Sequence, residues 1–218
     1  MNNAHEDGKH EPGAGLLPVI AIDPGTTQSA VVTYDSSTKR IMGHYKADNH
    51  KIESAMSNHE VTKYQVVIEQ IEGYGMAVGK EVFETCYWSG RFAAVYDRVC
   101  GPGKLAQRLP RRDVKLHLCG TARAKDKNIV VALVDRFAPG RKFGQYGKGT
   151  KKNPGPLYGF ASDEWAALAI CVTFSDRSMA SGADFQVGQG EPNQRPAPVF
   201  SKRIPIRGKT VRSGGGQN

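Results

Sequence analysis

The sequence predicts an α/β fold: a mixed five-stranded sheet, made of a three-strand antiparallel meander plus parallel strands, flanked by helices. Three observations lead there. Residues 16–23, 29–35 and 40–47 are apolar-rich runs separated only by short turns, the pattern of successive hairpins. Residues 64–70, YQVVIEQ, carry three consecutive β-branched residues, Val66, Val67 and Ile68, as a central parallel strand covered on both faces requires. Stretches of helical period then alternate with short apolar segments, the order of a layered α/β domain.

Residues 16–23 read as a buried strand that ends on Asp23, followed by the turn residues Pro24 and Gly25 and two threonines. SAVVTYD (29–35) is its hairpin partner, and RIMGHYKA (40–47) is the third strand. Residues 48–62 are polar and read as a short helix or a loop. After the 64–70 strand, residues 76–98 repeat Val78, Val82, Phe83, Cys86, Tyr87, Ala93 and Ala94 at helical spacing. VKLHL (114–118) alternates as a short strand would. DKNIVVALVDRF (126–137) is an amphipathic helix stopped by APG. Residues 139–160, rich in Gly, Pro and Lys, form a loop. Ser162 is placed to cap a last helix through DEWAALAICVTF.

The 218 residues divide into three segments: a polar, disordered N-terminal tail over 1–15, one domain over 16–177, and a flexible basic tail over 178–218. No apolar stretch approaches the ~18 residues that span a bilayer, and the first fifteen residues lack the apolar core of a signal peptide, so a cytoplasmic location is expected. The four cysteines form no CxxC pair, which leaves zinc-ribbon and redox motifs unsupported. The six histidines show no metal-ligand spacing, and neither GxSxG nor GxxxxGK[ST] occurs.

Thirty Lys and Arg against 21 Asp and Glu give a formal charge of +9, the balance of a protein that meets a polyanion. The cations cluster. Lys104, Arg108, Arg111, Arg112, Lys115, Arg123, Lys125 and Lys127 fall within 104–127, opposed only by Asp113 and Asp126. Arg141, Lys142, Lys148, Lys151 and Lys152 follow in a flexible loop suited to tracking a phosphate backbone. Arg111, Arg112, Lys115, Arg123, Lys125, Lys127, Lys148, Lys151 and Lys152 are the candidate DNA contacts. Tyr74, close behind the 64–70 strand, is a candidate to reach bound DNA.

Three carboxylates stand out by position. Asp23 ends the first strand, Glu69 follows the β-branched run of the fourth, and Asp163 opens the last helix with Glu164 beside it. The stretch IDPGTT fits a phosphate-cradling loop, a metal-binding carboxylate or an ordinary turn. Asp163 and Glu164 also suit a helix start on electrostatic grounds alone. Glu69 is costly at the end of a buried strand unless it is paired or metal-bound. Converging carboxylates repel unless a cation lies between them. Mg²⁺ favours such oxygen ligands, and two ions can clamp the attacking and leaving oxygens of a phosphodiester.

AIDPGTTQSAVVTYD, VVIEQI and SDEWAALAIC, in this order, resemble the three acidic motifs of RuvC-like Holliday-junction resolvases. YGMAVGKEVFETCYWSGRF resembles the phage and prophage branch of that family. The resemblance spans about residues 18–175. It implies an RNase H-like fold, two Mg²⁺ or Mn²⁺ ions as cofactor, and a homodimer as active form, with Asp23, Glu69 and Asp163 in catalytic, metal-holding positions. It also exposes a departure: the family's last motif has two catalytic positions three residues apart, and the second falls on Ala166. The fourth carboxylate is therefore missing, or Glu164 replaces it, although neighbours on a helix point about 100° apart. The function expected from the resemblance is metal-dependent hydrolysis of four-way or branched DNA, leaving 5′-phosphates. Two other readings are a nucleic-acid binder of the same fold with weak or no catalysis, and an actin-like or sugar-kinase phosphate-binding domain.

Overall fold

The computed structural model describes residues 16–73, 75, 77–139 and 149–180. The expected tail at 1–15 and residues 181–218 of the tail expected from 178, together with Tyr74, Arg141, Lys142 and Lys148, lie outside the described residues; residues 178–180 are helical rather than tail.

The elements run β1 (Val19–Asp23), β2 (Gln28–Asp35), β3 (Arg40–Asp48), α1 (Asn49–Met56), a 3₁₀ turn (His59–Lys63), β4 (Gln65–Gln70), α2 (Lys80–Cys100), β5 (Gln107–Pro110), α3 (Arg111–Cys119), α4 (Asp126–Phe137) and α5 (Glu164–Ala180). The sheet order is β3-β2-β1-β4-β5. β1, β2 and β3 form the antiparallel meander; β4 and β5 continue it in parallel. This is the mixed, helix-flanked five-stranded sheet expected of the sequence.

Strand alternation divides the interior into two cores. Val19, Ala21, Ala30, Val32, Tyr34 and Val67 face α3, α4 and α5. Ile22, Val31, Val66 and Ile68 face α1 and α2, against Ile52, Trp88, Phe92 and Tyr96. Both faces of β4 are thus covered, which accounts for its unbroken apolar run. Helix α5 is buried around nearly its whole circumference from Glu164 to Thr173. Ala167, Ala169 and Cys171 let it press against β1 and β2, with the Cys171 thiol 3.5 Å from the Val32 carbonyl.

Three expectations need correction. Residues 114–118 are helix, not strand: VKLHL lies inside α3, and β5 comes earlier, as QRLP. Five residues fit both periods. Val114 and Leu118, four apart on one helical face, meet the core, while the alternate residue Leu116 is exposed. Leu109 supplies β5's buried contact, and Gly120, at φ 71°, closes α3. In α2 the buried stripe is Trp88, Phe92 and Tyr96, whereas Val78 precedes the helix and Phe83 and Tyr87 face outward. The capping role expected of Ser162 also takes another form. Its φ is 34°, and its hydroxyl donates to Asp163 at 2.7 Å.

The turn after β1 is fastened on three sides. The Gly25 N–H donates to Ser29 Oγ at 3.1 Å, Ser29 Oγ donates to Asn49 Oδ1 at 2.6 Å, and Asn49 Nδ2 donates to the Gly25 carbonyl at 3.0 Å. Glycine is needed at position 25 because a Cβ there would lie 2.3 Å from the Gln28 carbonyl oxygen. Gly25→Ala is expected to lower stability by about 1–3 kcal/mol, the usual cost of forcing an extra carbon against fixed backbone. Urea denaturation would measure it, and an unchanged midpoint would show that the turn yields freely.

Candidate active site

The site follows from strand register. β1 and β4 run parallel with Ala21 beside Val67 and Ile22 beside Ile68. Asp23 and Glu69 are each the next residue, so both stand at the carboxyl ends of adjoining strands. Each shares a strand face with a residue of the α5-side core, Ala21 and Val67. Across β1, Asp23 pairs with Ala30, and Ala30 pairs with Lys46 of β3. On the other side Glu69 pairs with Leu109, two residues before Arg111. A row of side chains from Lys46 to Arg111 therefore crosses the sheet on the face that α5 covers. Asp163, whose carbonyl accepts the first helical N–H of α5, from Ala167 at 3.0 Å, enters this row from above.

Asp23 and Glu69 touch. Burial, then the hydrogen bond and negative charge of Glu69, push the Asp23 carboxyl up from 3.8 to about 9, against the opposing pull of Arg111. Glu69 is itself buried. Asp163 behaves oppositely: Lys46 Nζ lies 2.5 Å from its Oδ2 and Ser162 Oγ donates to its Oδ1, and these bonds hold its carboxyl below the usual range.

Arg111 bridges two acids. Its Nη1 is 3.3 Å from Glu69 Oε1 and its Nη2 is 3.0 Å from Asp126 Oδ1. Partial burial works against ionisation of Asp126, but Arg111 and then Lys115 hold its carboxyl down. A cleft of about 240 Å³ is lined by Asp23, Arg111, Asp126, Ser162, Asp163 and Ala166, among others. A larger pocket of about 590 Å³ adjoins Glu69 and carries Arg111, Arg112, Lys115 and Arg123 on its walls.

Asp23 and Glu69 thus come together, and Asp163 shares a cleft with Asp23. Glu164 goes elsewhere. Its Oε1 meets His44 Nδ1 at 2.9 Å, its Oε2 accepts the Ala161 N–H at 2.9 Å, and the His44 ring stacks on Phe160. One carboxylate oxygen ties α5 to β3, and the other fixes the segment just before α5. Lys125 and Lys127 are exposed at the start of α4, and Lys151 and Lys152 are exposed in the tight turn bridged by Gly149 and Pro154. Sequence reasoning missed two members of the row. Lys46 is revealed only by strand register. Asp126 had been counted merely as an acid opposing a basic stretch.

The donor set is one of hard oxygens, suited to Mg²⁺ or Mn²⁺. A proton retained between two buried carboxylates marks a place where a cation would relieve repulsion. Among the described residues no three His, Cys, Asp or Glu side chains are drawn together as an ion would draw them; Arg111 and Lys46 hold two of the acids instead. Asp23, Glu69 and Asp163 are the residues that would hold a divalent ion.

No protein-family model matches the sequence, and no curated protein does. Solved structures do. A Thermus thermophilus RuvC structure aligns at TM-score 0.53 and 17% identity, over 75% of this chain and 97% of that one. The chain carries the fold of RuvC. T. thermophilus RuvC in complex with its Holliday junction substrate aligns equally, at TM-score 0.53 and 15% identity, over 76% of this chain and 96% of the RuvC chain. The RuvC likeness thus extends over nearly the whole of the compared protein.

The raised Asp23 carboxyl sets the sign of a pH effect. Between pH 3.8 and about 9 the folded chain holds a proton there that the unfolded chain has released. The stability of the metal-free protein therefore falls as pH rises through this window. Asp23→Asn is expected to flatten the decline and to melt higher than the parent at pH 8. Thermal denaturation in chelator across pH 5–9 would check this, and parallel slopes would contradict it.

Proposed function

We propose that this protein is a metal-dependent endonuclease that cuts four-way or branched DNA, with Asp23, Glu69 and Asp163 holding the metal. The observation that carries this reading is the pairing of Asp23 with Glu69 at adjoining strand ends, with Asp163 in the same cleft as Asp23. The RuvC fold supports it, as does a RuvC neighbour's complex with a Holliday junction. A bound Mg²⁺ or Mn²⁺ would supply Lewis acidity toward water and the scissile phosphate.

The chain's own residues do the rest. Asp23 and Glu69, already in hydrogen-bond contact at adjoining strand ends, would hold the ion. Lys46 holds Asp163 ionised and oriented. Arg112, Lys115 and Arg123 lie along the wall next to Glu69, where they receive phosphates on either side of the cut. Lys125, Lys127, Lys151 and Lys152 extend that cationic surface, and Lys148 and Tyr74 belong to the same expected interface. Phosphate contacts position DNA without reading its sequence, so junction shape governs binding. Cutting two strands of a four-way junction calls for two sites, hence a homodimer, and the products carry 5′-phosphates. No helix among the described residues is long and apolar enough to cross a membrane, in keeping with a cytoplasmic enzyme.

A binder of the same fold without catalysis is the second reading, favoured by Ala166 in the cleft wall and by the cations resting on Glu69 and Asp163. The phosphate-loop reading loses ground because the Gly25 N–H is spent on Ser29.

Cleavage of a labelled four-way junction, with and without Mg²⁺, separates the first two readings. Asp23→Asn and Glu69→Gln are expected to abolish nicking while junction binding in Ca²⁺ persists. Full cleavage by either variant would remove this site assignment, and absence of cleavage by the parent chain would favour the binder. Arg123→Ala and Lys151→Ala are each expected to reduce the slope of log affinity against log salt by about 1, the signature of one lost phosphate contact.

A further inference from the structure

We infer that Arg111 is a resident cation of the carboxylate cluster, so that each chain takes up one divalent ion there rather than two. The inference rests on the reading above for the purpose of the ion but not for the number of ions.

Arg111 is placed unlike the other basic residues. It belongs to the wall of both cavities, the acidic cleft of Asp23 and Asp163 and the basic pocket beside Glu69. It is pinned at both ends of its fork, by Glu69 at 3.3 Å and Asp126 at 3.0 Å. A guanidinium does not lose its proton in a protein, so this positive charge is permanent. Its planar fork also makes the placement stiffer than a lysine's.

Charge counting then limits the ions. The cluster has three carboxylates, Asp23, Glu69 and Asp163, and Ala166 adds none. Arg111 and Lys46 already oppose two of them. Asp126 adds no net charge to the balance, because Lys115 stands 3.7 Å from it. One divalent ion leaves a single positive excess, which one phosphodiester neutralises. A second divalent ion would leave a large positive excess in a partly buried cleft, where uncompensated charge is costly. The guanidinium thereby serves, without a metal, as a second positive centre beside the phosphate.

The test uses the full chain and Mn²⁺ with four-way junction DNA, cut or uncut. Electron paramagnetic resonance distinguishes one protein-bound Mn²⁺ from a spin-coupled pair, and calorimetry gives the affinity. The parent chain and Arg111→Lys are expected to show a single ion. Arg111→Gln is expected to bind Mn²⁺ at least tenfold more tightly or to take up a second ion, with its melting temperature confirming that it folds. A spin-coupled pair in the parent chain overturns the inference. So does an Arg111→Gln chain that matches the parent in both number and affinity, or a parent chain that binds no Mn²⁺. The nuclease reading fails separately: a parent chain that never nicks a junction in Mg²⁺, yet holds one ion and responds to Arg111→Gln, sustains the inference alone. Nicking by a chain with a coupled pair does the reverse.

Discussion

Two carboxyl groups forced together at the ends of adjoining parallel strands are the constraint on which the rest of the structure turns. Parallel pairing of β1 with β4 leaves Asp23 and Glu69 no freedom to separate. Burial denies them the water that would screen their repulsion. Everything near them answers that problem. A proton stays on Asp23, Arg111 lies against Glu69, and Lys46 lies against Asp163. The cluster is therefore held together by one proton and two basic side chains.

The surrounding fold supplies stiffness. Helix α5 is buried on nearly all sides, and its small residues bring it down onto β1 and β2. Glu164, whose oxygens hold His44 and the Ala161 amide, anchors its first turn to β3. Asp163 is presented from a segment with little room to move. A carboxylate one residue further along thus works for position rather than chemistry, and its neighbour is free to carry charge.

Much of this was legible in the residues. The apolar runs before Asp23 and around Val66–Ile68 placed two acids at strand ends, and the acidic start of an apolar helix placed the third. The meander and the parallel fourth strand followed from the same runs. What stayed hidden was of two kinds. VKLHL satisfies both helical and strand spacing, so only the packing of Val114 and Leu118 settles α3 and moves β5 to QRLP. Lys46, Arg111 and Asp126 depend on contacts between distant segments: Lys46 reaches the row through Ala30, and Arg111 lies 42 residues from Glu69 in sequence. Local patterns reveal which face a strand buries, but not which cation a fold will later bring beside a carboxylate. Arg111 therefore read as one more member of a basic stretch.

The fastening of the turn after β1 has a consequence for how this site can drift. Gly25, Ser29 and Asn49 link the carboxyl end of β1 to the first residue of α1, a helix that packs on the opposite side of the sheet. The acidic cleft and the rear hydrophobic layer are thereby mechanically joined through a few buried polar atoms. A shift of α1 is passed to the turn after Asp23 through that joint. The rear layer is accordingly coupled to the position of the Asp23 strand end, and variation there can reach the cleft without touching a single residue of its wall.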